Sequence, residues 1–345
     1  QTSIELDDKR AVMPRINFNE IAFGARWARN EHGWNADVAD LKLERQQIAL
    51  PAATAHVEKR DGAEDAAVSY IVQLANIDVS APASLAMLVE SLPLSWRRWL
   101  YAGNPEGNVR TASLRWTNSD DFDMQADLDG VAWRAMDKVP GVSGLRGVLR
   151  GDEQALAIDL PAHGSFSVDV PRVLRKRFDF TEFAGTLAAY RADEAWRIET
   201  DALAFEGAGF GGELRGALDI PDAGGRPSID AYAVVNHAVV PASHLFWAIN
   251  VMPPATVMWL DRALDSGRVT AGRAAIRGDL ADWPFRNHSG RFEAHAEVED
   301  LTLKYLPDWP AAEHVRAVAS FVNTSLHAEA DAGQVVKGNK VDRAT

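Results

Sequence analysis

The stretch Phe122-Asp-Met-Gln-Ala-Asp-Leu-Asp129 alternates apolar and polar residues without a break, and Phe292-Glu-Ala-His-Ala-Glu-Val-Glu299 repeats the alternation. Successive side chains of a β-strand point to opposite faces of its sheet. Each stretch is therefore predicted to be a strand with one apolar face and one largely acidic face. The apolar positions are Phe122, Met124, Ala126, Leu128, Phe292, Ala294, Ala296 and Val298.

The side of the strand that carries apolar residues changes directly after both stretches. The apolar residues that follow are Val131 and Trp133 in the first case, and Leu301 and Leu303 in the second. A strand of period two cannot exchange its faces without an extra residue. A β-bulge or tight bend is therefore predicted at Gly130 and at Asp300.

Both stretches belong to a longer internal repeat. Seven residues recur 160 positions later, as Trp99 and Trp259 illustrate, and after a ten-residue insertion the offset becomes 170. The seven are Asn76, Leu85, Pro93, Trp99, Leu100, Gly107 and Val109. The repeated unit is predicted to contain strands, then two short helices, then strands. It spans 76–147 and 236–317 within one elongated segment, 1–345.

The rest of the sequence is mainly of the β type, with antiparallel strands and a few short amphipathic helices. The same alternation predicts strands at 16–27, 34–43, 67–77, 108–116, 156–160 and 196–205. Ser80 is predicted to cap a helix because a serine hydroxyl can accept from free backbone amides. Its apolar face would carry Leu85, Leu88, Val89 and Leu92, and further helices are predicted at 94–102, 243–250 and 256–264.

The composition excludes several classes of function. The 345 residues are 47% hydrophobic and 25% charged, which is typical of a folded globular chain. A net charge of -13 argues against a nucleic-acid partner, and the basic clusters at 97–98 and 172–177 are interpreted as solvated surface. The absence of cysteine excludes disulfides and thiolate metal sites.

The sequence is expected to be a water-soluble section of a larger protein. It begins at Gln1 without a signal pattern and ends without a closing feature. Its longest uncharged run, 245–260, is shorter than the roughly 20 residues that a membrane-spanning helix needs. Any membrane anchor is therefore expected outside this sequence.

Three patterns could indicate a site for chemistry, and each has a simpler interpretation. The run 207–212 matches G-x-G-x-x-G, but strand alternation follows it, which favours a glycine-rich hairpin over a dinucleotide site. The histidines lack metal-ligand spacing, and His237 and His244 are interpreted as turn or helix-edge residues. The acidic run 120–129 could suggest calcium, but carboxylates that alternate along a strand do not converge.

An enzyme active site is not expected, and neither a cofactor nor a metal is predicted. Paired carboxylates for glycoside hydrolysis remain an alternative that the sequence leaves open, as does the stacking of sugars on the eleven tryptophans. Trp99 and Trp259, however, stand at equivalent repeat positions beside apolar residues. They are therefore interpreted as packing residues.

Four motifs, rich in glycine, proline and aromatic residues, resemble the central region of YhdP-type proteins, which are AsmA-like proteins of Gram-negative bacteria. They are the runs 139–147, 178–185, 259–269 and 305–310. The resemblance covers roughly residues 80–345, and the first eighty fit by strand pattern alone. It implies a long periplasmic protein held by an N-terminal inner-membrane helix, with an elongated, curved antiparallel sheet that forms a hydrophobic groove. It supplies no catalytic residues.

The resemblance and the two-faced strands lead to one hypothesis. The eight apolar residues named above would line a groove that carries phospholipid acyl chains between the inner and outer membranes. The partners would be those acyl chains, other segments of the same long chain, and inner- and outer-membrane proteins. The alternative is a structural or interaction module of the envelope, with the same residues in a closed β core, and a sugar-binding module is a weaker third.

Overall fold

The computed structural model of the chain describes residues 4–7, 15–18, 20–45, 48–49, 52–62, 67–87, 92–117, 121–136, 139–250, 252–335 and 339–341. The chain divides into two compact units, 1–160 and 161–345. Both consist mainly of antiparallel strands with a few short helices, which confirms the predicted mainly-β class. Within the described residues, no helix has the length and apolar character needed to cross a bilayer.

The first unit is a sheet whose strands pair antiparallel in chain order. A separate two-stranded sheet is formed by β1 (Ile4–Asp7) and β2 (Arg15–Phe18). The main strands are β3 (Glu20–Asn30), β4 (Gly33–Arg45), β5 (Ile48–Ala49), β6 (Ala53–Arg60), β7 (Ser69–Asp78), β8 (Glu106–Thr117), β9 (Phe122–Trp133), β10 (Gly141–Asp152) and β11 (Ala155–Leu160). Two helices, α1 (Ser80–Ala86) and α2 (Leu94–Gly103), lie between β7 and β8.

The second unit follows the same plan. Its strands are β12 (Phe166–Asp169), β13 (Phe178–Ala192), β14 (Ala195–Gly207), β15 (Phe210–Pro221), β16 (Ser228–Val239), β17 (Leu264–Asp279), β18 (Arg291–Leu303), β19 (Ala312–Val322), β20 (Ser325–Val335) and β21 (Asn339–Val341). A 3-10 helix, η1 (Val240–Leu245), and the helix α3 (Pro254–Ala263) separate β16 from β17, and a short 3-10 turn, η2 (Leu280–Asp282), follows β17.

The β8–β9 and β17–β18 ladders have the same register. The pair Leu114 and Met124 corresponds to Ala274 and Ala294, 160 positions later on the first strand and 170 on the second. Both ladders also shift register at the same place, after Val109 and after Val269. These matched registers support the internal repeat, which we propose runs over 76–147 and 236–317.

The predicted bends are confirmed in both ladders. The β9–β10 register shifts between the pairs Leu128–Gly147 and Val131–Leu145, and the β18–β19 register shifts between Val298–Ala317 and Leu301–Val315. The residues at the bends, Gly130 and Asp300, have left-handed backbone with φ of 68° and 54°. The extra residue keeps Val131 and Leu301 on the same face as the apolar residues before the bend, although their parity in the sequence has changed.

A glycine on the neighbouring strand lets the backbone pass close to each bend. Gly107 has φ of 112°, and a Cβ there would lie 2.6 Å from the Gly130 carbonyl oxygen. Its counterpart Gly267 has φ of 134°, and a Cβ there would lie 2.9 Å from Leu301 Cα. Only a residue without a side chain permits both the backbone conformation and the approach.

Two of the predicted helical features are wrong. Ser80 does not cap α1, because the Asp78 carboxylate accepts from the Ser80 amide at 2.9 Å and the N-cap position is Val79. The buried face of α1 contains Ala81 and Ser84, whereas Leu85 is 38% exposed. Of the other residues predicted for that face, Leu88 and Val89 lie outside the described part of the chain, and Leu92 lies in a bend and not on α1, which ends at Ala86.

No α-helix forms over 243–250. The backbone there makes the 3-10 helix η1 and then a turn, because tertiary contacts replace helical ones. The Ile249 amide donates to the Val173 carbonyl at 2.9 Å, and the Phe246 ring packs on Phe178 with centroids 5.1 Å apart. The predicted helices at 94–102 and 256–264 are present as α2 and α3.

Fully buried apolar side chains are concentrated near the bends and under the helices. In the second unit Val240 of η1, Leu301 and Val315 form a buried cluster, against which Leu264, Val269, Val298, Leu303, Ala312, Ala317 and Ala330 pack. In the first unit the buried apolar side chains among the described residues are Ala53, Ala81, Met87, Ala126, Val131 and Leu160. Side chains elsewhere on the strands therefore pack mainly against residues on the neighbouring strands.

Candidate functional site

The apolar residues predicted on β9 lie on one face and continue onto both neighbouring strands. Met124 lies opposite Leu114 of β8 and Gly151 of β10, and Ala126 lies opposite Ala112 and Leu149. Phe122 lies opposite Trp116, whose ring stacks on Tyr70 at 4.7 Å between centroids. Residues directly opposite each other share a face, so the apolar surface does not end at the edge of β9.

Following the register from strand to strand gives two apolar rows across eight strands of the first unit. The first comprises Trp27, Ala36, Val57, Val72, Leu114, Met124, Gly151 and Leu156; the second comprises Ala25, Val38, Ala55, Leu74, Ala112, Ala126, Leu149 and Ile158. No charged residue interrupts either row. The rows run perpendicular to the strands and give the sheet one continuous apolar face.

Most of this face is only partly buried. Of the sixteen residues in the two rows only Ala126 is fully buried, and Trp27 is 64% exposed. A monomeric protein rarely exposes a contiguous apolar surface of this kind unless the surface binds something. The face is therefore the candidate site of the first unit.

The second unit places the matching residues on an equivalent face. Ala294 lies between Ala274 and Phe321, and Ala296 lies between Gly272 and Ala319. The rows span seven strands, β14 to β20: Leu203, Leu214, Ala233, Ala274, Ala294, Phe321 and Leu326 form one, and Phe205, Gly212, Val235, Gly272, Ala296, Ala319 and Ala328 form the other.

The first and last of the apolar residues predicted on β18, Phe292 and Val298, have different surroundings. Phe292 lies opposite Ile276, on a third row that includes Ala231 and Thr200. Val298, in contrast, packs against the buried cluster of Val240, Leu301 and Val315. Its counterpart Leu128 lies opposite Gly147, next to the bend in β9. Val298 therefore packs against a protein core, while Ala294 and Ala296 lie on the two apolar rows.

Seven phenylalanines cluster on the apolar side of the second unit. Phe210, 2% exposed, lies within 5.3 to 6.2 Å of the ring centroids of four others. The members are Phe166, Phe178, Phe180, Phe183, Phe205, Phe210 and Phe246. Phe246, from the turn after η1, is 47% exposed and covers one end of the cluster. These residues were not predicted to belong to the site, although the alternation of apolar and polar residues over 178–180 could have indicated them.

The opposite face is polar, and arginines separate many of its carboxylates. Arg110 Nε lies 3.7 Å from both Asp127 and Asp129, and Arg146 Nε donates to Asp129 at 2.8 Å. Because guanidinium groups partner these carboxylates, the arrangement does not resemble a calcium site. Across the residues that the structure describes, no group of histidine, aspartate and glutamate side chains could hold a metal ion.

In the second unit, the polar side of β13 to β15 carries a hydrogen-bonded network. Arg197 donates to Glu199 and to Asp219, both at 2.9 Å. The hydrogen bond from Arg197 lowers the pKa of Glu199, and burial is the main cause that raises the pKa of Tyr190. At the nearby turn, the hydrogen bond from Arg191 lowers the pKa of Asp222. These charged groups hydrogen-bond to one another within the sheet. The polar face is therefore interpreted as solvated surface.

The other sequence motifs have structural roles. Gly207 and Phe210 pair at the end of the β14–β15 hairpin, and Gly209 in the turn has φ of 84°, which confirms the glycine-rich hairpin. The prediction that His237 lies in a turn is wrong. It lies on β16, where its ring pairs with the Glu206 carboxylate at 2.9 Å. His244 lies in η1.

The repeated tryptophans are packing residues, as predicted. Trp99 makes an edge contact with Trp133, with centroids 6.2 Å apart. Trp259 makes an edge contact with Tyr305 at 5.7 Å, and its indole nitrogen donates to the Tyr305 carbonyl at 3.0 Å. Both rings therefore fix a helix to the segment that follows the bend.

Comparison with known proteins gives one family and one curated relative. Residues 2–345 match the family described as YhdP protein. The chain is 19% identical over 321 residues to the intermembrane phospholipid transporter YhdP of Escherichia coli (strain K12). That alignment covers 89% of this chain and 25% of the relative, so the chain spans about a quarter of the relative's length. No solved structure matches the chain.

Proposed function

This chain belongs to the YhdP family, and from that premise we propose that it is a section of a phospholipid transporter in which acyl chains move along the apolar face. The observation that carries the proposal is the set of uninterrupted apolar rows, which cross eight strands in the first unit and seven in the second. The lining residues would include Phe122, Met124, Ala126, Leu128, Phe292, Ala294 and Ala296, whereas Val298 packs against the protein core.

The energetics of such a face suit transport. Burying a methylene removes it from water at a gain of about 0.8 kcal/mol. An acyl chain in a bilayer is already buried, and lipid tails are about as apolar as leucine. Exchange between bilayer and protein is therefore nearly neutral for each methylene. A chain can enter the face and leave it again without a deep energy minimum.

The two faces of the sheet would contact chemically different parts of a phospholipid. Hydrocarbon would contact the apolar rows, whereas a charged headgroup would stay in water because burying an unpaired charge is very costly. The process makes and breaks no covalent bond and therefore needs no catalyst. By analogy with the relative named as an intermembrane transporter, we place the chain in the periplasm, within a longer protein anchored in the inner membrane.

Two measurements on the purified chain test the proposal. Organic extraction followed by mass spectrometry is expected to recover phospholipid. A photo-crosslinking residue at Met124 or Ala294 is expected to capture lipid, whereas the same residue at the adjacent Gln125 or His295, on the polar face, is not. Absence of phospholipid together with no crosslink at Met124 or Ala294 would overturn the proposal in favour of a structural or interaction module.

A further inference from the structure

A small depression lies on the apolar face of the second unit, over β14, β15 and β16. Its volume is about 200 Å3, and its apolar walls are Leu187, Ile198, Leu214, Leu218, Ile229 and Ala231. Small-molecule sites usually enclose about 300–1,000 Å3. The depression can therefore hold only part of a ligand, with the remainder on the adjoining rows.

One polar side chain is set into this apolar surface. Thr200 lines the depression and is 8% exposed, and its Oγ1 is buried with no hydrogen-bond partner among the described residues. A buried hydroxyl without a partner is destabilising, and native proteins usually satisfy such groups. An unpartnered hydroxyl within a proposed ligand surface therefore indicates that the ligand supplies the acceptor.

The local backbone explains why no side chain of β15 lies directly over Thr200. The β14–β15 register shifts between Thr200 and Leu203, and Thr200 lies opposite Gly216. Gly216 has φ of 149°, and a Cβ there would lie 2.4 Å from the Asp230 carbonyl oxygen. Gly216 therefore cannot be replaced without strain, and no side chain on β15 covers Thr200 from directly across the ladder.

The surroundings restrict the acceptor to a neutral group. Among the residues that line the depression Glu199 is the ionisable one, and its carboxylate accepts from Arg197 at 2.9 Å. No lining residue carries a positive charge. A ligand carboxylate would thus be desolvated without a counter-ion, at much greater cost than a carbonyl.

Building on the proposed function, we infer that Thr200 donates a hydrogen bond to the ester carbonyl of a lipid whose acyl chain lies over Ile198, Leu218 and Ile229. The hydroxyl is buried in the structure, and rotation about the Thr200 Cα–Cβ bond to another staggered rotamer would exchange it with the methyl group. The hydroxyl can therefore turn toward a carbonyl when lipid arrives. This makes the depression a preferred resting point for ester-linked lipids on an otherwise unselective face.

Methyl NMR on the full chain tests the inference. The Ile198 and Ile229 methyl signals report the depression, and the probes are a short-chain diester phosphatidylcholine and its diether analogue, which lacks both carbonyls. The wild type is expected to bind the diester about 2- to 12-fold more tightly, the range that one hydrogen bond supplies. Thr200→Val is expected to bind both equally, at the wild-type affinity for the diether, and Thr200→Ser to keep the preference.

The outcomes separate the inference from the proposed function. Equal binding of the two probes by the wild type, or a preference that persists in Thr200→Val, would overturn the role of Thr200 and leave the groove intact. No methyl shift with either probe would contradict lipid binding at this face altogether. Thr200→Val is also expected to melt no lower than the wild type, because it removes a buried unpartnered hydroxyl, so misfolding cannot explain its loss of preference.

Discussion

Gly130 and Asp300 have the same left-handed backbone at corresponding bends of β9 and β18, although one has no side chain and the other a carboxylate. The Asp300 carboxylate accepts a hydrogen bond from His314 Nδ1 at 2.7 Å, whereas a Cβ at Gly130 would meet nothing within 4 Å. Space is therefore not the reason for glycine at position 130. Backbone conformation alone sets the requirement.

The first prediction concerns that backbone. Gly130→Ala is expected to lower the free energy of unfolding by about 1–2 kcal/mol, the cost of left-handed backbone for an ordinary residue. Gly130→Asp is expected to cost less because aspartate tolerates this conformation. Urea denaturation measures both. If Gly130→Ala unfolded at the wild-type midpoint, the left-handed bend would be wrong.

The second prediction separates an open face from a closed core. Ala296→Asp places a charge among the apolar rows, and retained phospholipid is expected to fall about tenfold or more while the fold persists. Ala275→Asp is the matched control, because Ala275 lies opposite Tyr232 and Glu293 on the polar face. Lipid counting by mass spectrometry and circular dichroism are measured together. Unfolding of Ala296→Asp alone would favour a closed core.

The third prediction concerns the phenylalanine cluster. Phe210→Ala is expected to destabilise the second unit by about 3–5 kcal/mol, because it opens a cavity in a buried aromatic cluster. Phe246→Ala removes a ring that is 47% exposed and is expected to cost much less. Denaturant unfolding compares the two. Similar losses for both variants would mean that the ring of Phe246 carries as much of the packing as that of Phe210.

The fourth prediction concerns acid stability. The pKa of Glu199 is lowered in the folded chain by the hydrogen bond from Arg197, so the unfolded chain binds more protons as the pH falls through the ordinary glutamate value of 4.5. Stability from this pair is therefore present above that pH and is lost below it. Glu199→Gln is expected to flatten the decline of unfolding free energy between about pH 5 and pH 3. A decline as steep as that of the wild type would exclude Glu199 as a contributor.

The positions of the strands and of the two bends could be predicted because they depend on the local alternation of apolar and polar residues. The bend at Gly130 follows from the parity of the residues on either side of it, and no knowledge of the neighbouring strands is needed. The apolar positions of β9 were predicted on the same basis. The rows that extend them were not, because register between strands is a property of the pair and not of either strand alone.

Features that depend on distant contacts were missed. Thr200 reads as an ordinary strand residue, because its buried, unpartnered hydroxyl, the register shift before Leu203 and the pairing with Gly216 depend on neighbouring strands. Phe246 was placed in a helix because its contacts with Phe178 and Phe210 are invisible in the sequence. In α1, the small residues Ala81 and Ser84 are buried whereas Leu85 is 38% exposed, so the spacing of the leucines does not identify the buried side of this helix.

Within each unit, the strands pair with their neighbours in the chain. Stability in such an arrangement approximates a sum of nearest-neighbour terms, as in a one-dimensional array. A hairpin added or removed then changes two junctions and leaves every other contact as it was. The number of strands in such a protein can consequently change without any change in how an individual strand is built.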